Sequence, residues 1–383
     1  MPFSKYNANS LYIGRMGNLL RIKLSYNLLI LGIITSLVLT LKLWIPPQEI
    51  PAFGILPQFP NAVNYTLVGL FLLCLIVLLI YKKWFVFPVL GLLLFIFLVL
   101  QDINRFQPWV YHYSLLWIPF LLYPVHYYKF KPWEPVLNFQ RLLLMGIFLW
   151  SGIQKLNAAY FEGISAYLTS GLETSLGVPH ESLQFLAWIA PFLQIIGAIG
   201  LLTPTLRNWG ILLLTIIQLM GILLIAVLNK WNYVIIPWNL VIVGFLWLLF
   251  YNTKERWNDF SLGKMVGLKL VLTVVLLMPL VGKFTKLPYP VQFKLYSEFL
   301  EDSHLYLLKE DNDFSQFPSK AVRSVGSYEV INLQYWASEV YNAPLYQSNL
   351  NYEIIETEVS KIYPNTKVFL TISSSNDSDT TEE

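Results

Sequence analysis

Cysteine occurs once in these 383 residues, at Cys74, and histidine four times, at His112, His126, His180 and His304. One thiol makes no intrachain disulfide and no Cys-x-x-Cys relay, so thiol redox chemistry and structural zinc are poorly supported. Cys74 reads instead as apolar filler inside a hydrophobic run. The histidines stand at no ligand spacing from one another, and no metal site is expected. Charge is scarce as well: 13% of residues are Asp, Glu, Lys or Arg, about half the share of a soluble domain. With no polybasic cluster, nucleic acid is not an expected partner.

What fills the chain is apolar. Hydrophobic residues make up 56% and aromatics 16%, and runs of roughly 17 to 21 apolar residues recur, each able to cross a hydrocarbon core of about 30 Å as a helix. They fall at about 28–46, 65–81, 84–100, 109–127, 139–156, 184–203, 209–228, 233–250 and 265–282. The expected fold is an all-α polytopic membrane bundle of about nine transmembrane helices, with membrane lipid as its first partner.

The charges orient it. Lys5, Arg15, Arg21, Lys23, Lys82, Lys83, Lys129, Lys131, Arg207, Lys254, Arg256 and Lys264 fall in one set of loops, against only Arg105 and Lys230 in the other before the tail. The positive-inside bias then puts the N-terminal segment, 1–27, in the cytoplasm, ahead of an uncleaved signal anchor. Up to Lys283 there are 19 basic and 8 acidic residues, and from Phe284 onward 7 basic and 15 acidic. That change of sign divides a transmembrane domain, 28–283, from a small acidic extracytoplasmic α+β domain, 284–370. "LYLLKED" and "KVFLTIS" read as strands and "NLNYEIIETEVSKIYP" as a helix. A run with nothing apolar to bury, 371–383, reads as a disordered tail.

Within the fifth run stands "SGIQKLNAAYFEG", and Lys155 in it occupies a depth where leucine is the ordinary residue. Ser151 and Gly152, one turn behind, let another helix approach closely. Threading the spans brings two further polar hairpin ends to the same depth. "QDINRFQPWVYHY" supplies Asp102, Arg105, Gln107 and His112, and "NKWNYVIIPWN" supplies Asn232, Trp238 and Asn239. A polar pocket is expected there, although a snorkelling lysine with tryptophan belting is the plainer alternative. Pro237 is expected to remove a backbone donor inside the eighth span. Between Asn157 and Gln184, Tyr160, Ile164, Tyr167 and Leu168 share one helical face, which suits either an interfacial helix over the pocket mouth or an amphipathic connector.

"SGIQKLNAAYFEGISAYL" resembles a segment of the vitamin K-dependent gamma-glutamyl carboxylases and their bacterial HTTM relatives, which reads approximately A-G-x-K-K-L-D-A-D-W-x-E-G-x-S. Gly152, Lys155, Leu156, Ala158, Glu162, Gly163 and Ser165 carry the match. The wider resemblance is to DoxX-like membrane proteins, some of them associated with quinones, and "NYVIIPWN" and "FKLYS" look like features of bacterial members. The resemblance implies a base at Lys155, a quinone as possible cofactor and a bacterial inner membrane. Two departures point to a shared fold with different or reduced chemistry. Pro108-Trp109 stands where the carboxylases carry Asn-His, and the tail is too short for their large outer portion.

Lysine as a base must be neutral part of the time, which desolvation by Ile147, Phe148 and Trp150 or a neighbouring Arg105 favours and Glu162, Asp102 or Glu173 opposes. A charged Lys155 suits an anion clamp. Two function classes follow. One is a membrane enzyme acting on a quinone or other lipid-soluble substrate, with Lys155 as base or clamp and Asp102, Arg105, Gln107, His112, Glu162, Asn232, Trp238 and Asn239 orienting the substrate. The other is a non-catalytic membrane subunit whose C-terminal domain docks an extracytoplasmic protein partner. A transporter has less support, since only Gln194 and Gln218 continue a polar path inward.

Overall fold

The computed structural model describes residues 17–80, 86–122, 133–285, 287–297, 302–309 and 313–373. Residues 1–16, the loop lysines Lys82, Lys83, Lys129 and Lys131, His126 and the tail after 373 lie outside them. Five helices are long and apolar enough to cross a membrane: α1 (Asn18–Leu39), α2 (Asn61–Ile80), α5 (Glu134–Gln154), α7 (Glu181–Gly200) and α8 (Arg207–Leu228). Shorter apolar helices α3 (Val86–Gln101), α9 (Ile235–Phe250) and α10 (Val266–Val281) accompany them. So do α4 (Pro108–Leu122) and α6 (Ser165–Leu176). Helix α1 runs against α9 and α4, α5 against α7, and α8 between α7 and α9.

Two boundaries differ from expectation. The first helix starts at Asn18 and so takes in residues assigned above to a cytoplasmic segment. Its charge is tolerated because Arg21, 4% exposed, donates to the Leu248 and Tyr251 carbonyls at 2.5 and 3.1 Å. Pro237 lies in the first turn of α9, where a backbone N–H has no intrahelical partner to lose.

One end of the bundle is built around the C-terminus of α9. Besides Arg21, Arg141 donates to the Leu249 carbonyl at 2.9 Å and to Glu255 at 2.7 Å. Arg207 reaches the Thr253 and Glu255 carbonyls, each at 2.7 Å. Free carbonyls and the negative end of the helix dipole favour such cations.

The opposite end carries the C-terminal domain. Strands β1 (Asp302–Leu308), β2 (Val322–Val325), β3 (Tyr328–Asn332) and β4 (Val368–Ser373) form an antiparallel sheet in the order β2-β3-β1-β4. Helices α11 (Leu333–Tyr341) and α12 (Asn349–Ile362) pack on it. Strand β4 runs to Ser373, three residues past the boundary expected for the tail. The expected helix over 349–364 and strand over 367–373 have counterparts, and the strand expected over 305–311 has one as far as Leu308, its last two residues lying outside the described ones; β2, β3 and α11 had no clear signal, their runs being short and polar on one side. The domain is fastened to the bundle by hydrogen bonds: Gln107 donates to the Pro344 carbonyl at 2.9 Å, and Asn351 to the Asn104 side chain at 3.1 Å.

Candidate functional site

A cavity of about 360 Å³ lies between α5, α7, α8 and α9, within the size range of small-molecule sites. Its walls are apolar, with Lys155, Ser151, His112, Gln194, Gln218, Trp238 and Asn239 set into them. Local sequence explains how the helices meet there. A Cβ on Gly152 would stand 2.7 Å from Ile195 and 2.8 Å from the Pro191 carbonyl oxygen, so only glycine lets α7 approach α5 this closely. Pro191 donates no backbone hydrogen to the Ala187 carbonyl. That carbonyl accepts instead from the Tyr160 hydroxyl at 2.8 Å, and Tyr160 and Ala187 both line the cavity.

Lys155 caps the C-terminus of α5 and is 8% exposed. Its amine donates to Ser151, to the hydroxyl at 2.8 Å and to the carbonyl at 3.1 Å. Among the described residues no carboxylate lies within ion-pairing distance of it. His112, 6% exposed, has its ring 5.2 Å from that of Trp238 and 5.4 Å from that of Phe293. Both ring nitrogens of His112, the indole N–H of Trp238 and the amide oxygen of Gln194 are buried without a hydrogen-bond partner. Buried polar groups are otherwise almost always hydrogen-bonded, so these atoms mark the polar part of the wall. Asn239 donates to the Gln218 carbonyl at 3.0 Å. Just beyond, α8 changes from α- to π-helical winding over Ile222–Leu228, and a second π-helical turn, Tyr160–Ile164, follows Lys155. Leu224, Ile225 and Tyr160 bring both turns to the cavity wall. Such turns interrupt helices preferentially at functional sites.

The end of the cavity nearest the C-terminal domain is closed by chain that follows α10. Pro290, Phe293, Leu295 and Tyr296 line it, and Phe293 and Tyr296 take φ values of 56° and 50°. Bulky side chains in that region cost about 1–3 kcal/mol each, so the surroundings must hold them. Gln154 donates to the Gln292 carbonyl at 3.2 Å and Asn157 to the Ser297 carbonyl at 2.7 Å, which pins the cap on both sides of Lys155. Asn232 donates to the Tyr296 hydroxyl at 2.7 Å. Burial pushes the Tyr296 phenol well above its ordinary range, against the pull of that hydrogen bond, and keeps it a neutral donor.

Of the residues singled out in the sequence, Lys155, His112, Trp238 and Asn239 line the cavity. Asn232 stands behind Tyr296. Asp102, Arg105 and Gln107 do not line it, so the hairpin end at 101–113 reaches the pocket through Pro108 and His112 instead. The Arg105 guanidinium donates to the Leu43 and Leu98 carbonyls at 2.9 Å and the Trp44 carbonyl at 3.3 Å, and lies 3.8 Å from Asp102. Burial pushes the Asp102 carboxyl up, with Arg105 and the Asn104 N–H opposing. This is a fastening under the C-terminal domain, saturated by carbonyls. Glu162 is exposed on its π-turn. Leu168 and Tyr160 face the cavity, while Tyr167 is 39% exposed and sits 6.3 Å from Trp231. Phe293 and Tyr296 stood out in the sequence only as part of "FKLYS", and Asn157 only as part of the segment around Lys155; their roles arise from chain packed against a helix remote in sequence.

Residues 136–227, which supply α5, α7, α8 and Lys155, match the family model described as DoxX. The match spans a little under a quarter of the chain. No curated protein and no solved structure matches the chain. The DoxX stretch and the apolar helices mark an integral, multi-pass membrane protein in contact with lipid. The DoxX-like resemblance is thereby supported; the narrower likeness to HTTM proteins and carboxylases has no match of its own.

Proposed function

We propose that the cavity binds a lipid-soluble molecule with an acidic or acceptor-rich head group, of the chemistry of a quinone, a quinol or a fatty carboxylate, and that Lys155 acts on it as base or anion clamp. One observation carries the reading: Lys155 is buried in the cavity wall and, among the described residues, has Ser151 as its only hydrogen-bonding residue and no carboxylate. An unpaired buried cation is expensive in an apolar wall unless a partner arrives. His112, Trp238 and Gln194, with unpartnered polar atoms, supply further contacts for a head group. The carboxylase-like motif agrees with a base at Lys155, and the HTTM likeness belongs to this reading as a resemblance of 18 residues.

The same reading takes the chain to have about nine spans in a bacterial inner membrane, with the N-terminus cytoplasmic and the C-terminal domain outside. The gathering of Arg21, Arg141 and Arg207 at the end opposite that domain agrees with it. A second reading is a non-catalytic subunit that docks an extracytoplasmic protein through the acidic domain. In its favour, among the described residues the domain's edge strands β2 and β4 have no pairing partner on one side.

Comparison of Lys155→Met with Lys155→Arg separates the roles. Ligand binding or turnover in the purified protein, or complementation of the host phenotype, should be lost with methionine. Arginine should fail as a base and retain part of a clamp's affinity. Wild-type behaviour of both variants, with loss only when residues 298–383 are removed, would establish the scaffold instead.

A further inference from the structure

Among the described residues, the cavity wall is widely exposed only where α7 and α8 diverge. Of its lining residues only Ile189 of α7 and Ile216 of α8 are widely exposed, at 50% and 45%. Around them Phe192 and Leu219 are 48% and 46% exposed, and both are apolar. Ile216 stands near the middle of α8, about 14 Å along the axis from Arg207, so this rim lies at hydrocarbon depth. On one side of it the two helices touch backbone to backbone: a Cβ on Gly210 would stand 2.7 Å from the Gly197 carbonyl oxygen, and one on Gly197 would stand 2.7 Å from Leu214. On the other side Leu193, Ile189, Ile216 and Met220 line the cavity. The end toward the C-terminal domain is closed by Phe293, 3% exposed, and its neighbours.

We propose that the cavity is loaded from within the bilayer, through a slot between Ile189 and Ile216, by a single-chain amphiphile whose head group reaches Lys155 while its hydrocarbon chain remains in the slot and the surrounding lipid. The proposal rests on the ligand-binding reading above and adds the route and the shape of the ligand. A rim of isoleucine, phenylalanine and leucine offers no hydrogen bond to a head group, so nothing polar is held at the mouth. The polar side chains lie inside, at Lys155, His112 and Trp238. Because the slot opens into hydrocarbon, a chain longer than the cavity stays solvated by lipid.

The full-length protein in lipid nanodiscs would be exposed to two photoreactive palmitic acids, one with a diazirine next to the carboxylate and one with it at the chain end. Adducts are mapped by mass spectrometry, in wild type and in Lys155→Met. The proposal expects the first probe to label His112, Trp238 or Phe293 and the second to label Ile189, Ile216 or their neighbours, both saturably and both lost in Lys155→Met. The double variant Ile189→Trp/Ile216→Trp should slow the appearance of the first probe's adducts while leaving the fold intact by circular dichroism. Chain-end adducts on the cap at 287–297, with head-group adducts unchanged, overturn the slot and leave the cavity reading standing. Absence of Lys155-dependent labelling by either probe overturns the proposal, and the cavity reading falls with it only if the Lys155→Met comparison above also shows no effect; labelling of Ile189 and Ile216 that survives Lys155→Met is ordinary lipid contact and counts against the slot.

Discussion

Asn157 makes three hydrogen bonds from one side chain, and its removal is the sharpest test of how the site is held. Its amide donates to the Gln154 carbonyl at 2.6 Å and the Ser297 carbonyl at 2.7 Å, and its oxygen accepts from the Tyr160 N–H at 2.8 Å. The first bond caps α5, the second fastens the cavity cap, and the third starts the π-turn that brings Tyr160 to the wall. At about 0.5–1.5 kcal/mol for each bond, Asn157→Ala should cost about 1.5–4.5 kcal/mol. Asn157→Asp, which restores the residue found in the carboxylase-like motif, keeps the bond to Tyr160. It places an acceptor against two carbonyl oxygens, so it should rescue little. Both variants should also release the cap and weaken Lys155-dependent palmitate labelling. Reversible unfolding in mixed micelles measures the first effect, and the photoprobes measure the second. Stability within about 0.5 kcal/mol of wild type for both variants, the range of ordinary surface substitutions, would refute the reasoning.

Gly152→Ala should destabilise by about 1–3 kcal/mol through the clash with α7, outweighing the gain of about 1 kcal/mol that alanine brings to a helix. Gly69→Ala, where nothing lies within 4 Å of the added Cβ, should show that gain alone in the same unfolding assay. Gln107→Ala with Asn351→Ala removes polar ties between bundle and C-terminal domain, and limited proteolysis should degrade the C-terminal domain faster than in wild type. A cysteine at the exposed Ser327, on a Cys74→Ser background, should react with a membrane-impermeant maleimide in intact cells. Reaction only after the cytoplasm is opened would reverse the orientation.

Composition and the period of the apolar runs were enough for the membrane bundle, for the positions of most of its helices and for the change from a basic to an acidic part near 283. These are properties of short windows of chain, because length and hydropathy alone determine which stretches suit a bilayer. Lys155 was legible for the same reason, as a cation in an apolar run, and His112, Trp238 and Asn239 as polar groups expected at similar depth. Depth, however, is one coordinate. Arg105 shares it, yet donates to carbonyls of the Leu41–Trp44 turn with Asp102 beside it, whereas His112, seven residues beyond Arg105, faces the cavity. The direction in which each side chain points depends on how the helices rotate and cross. That is decided by contacts between distant segments, such as Gly152 against Pro191 and Asn157 against Ser297, which no local pattern encodes.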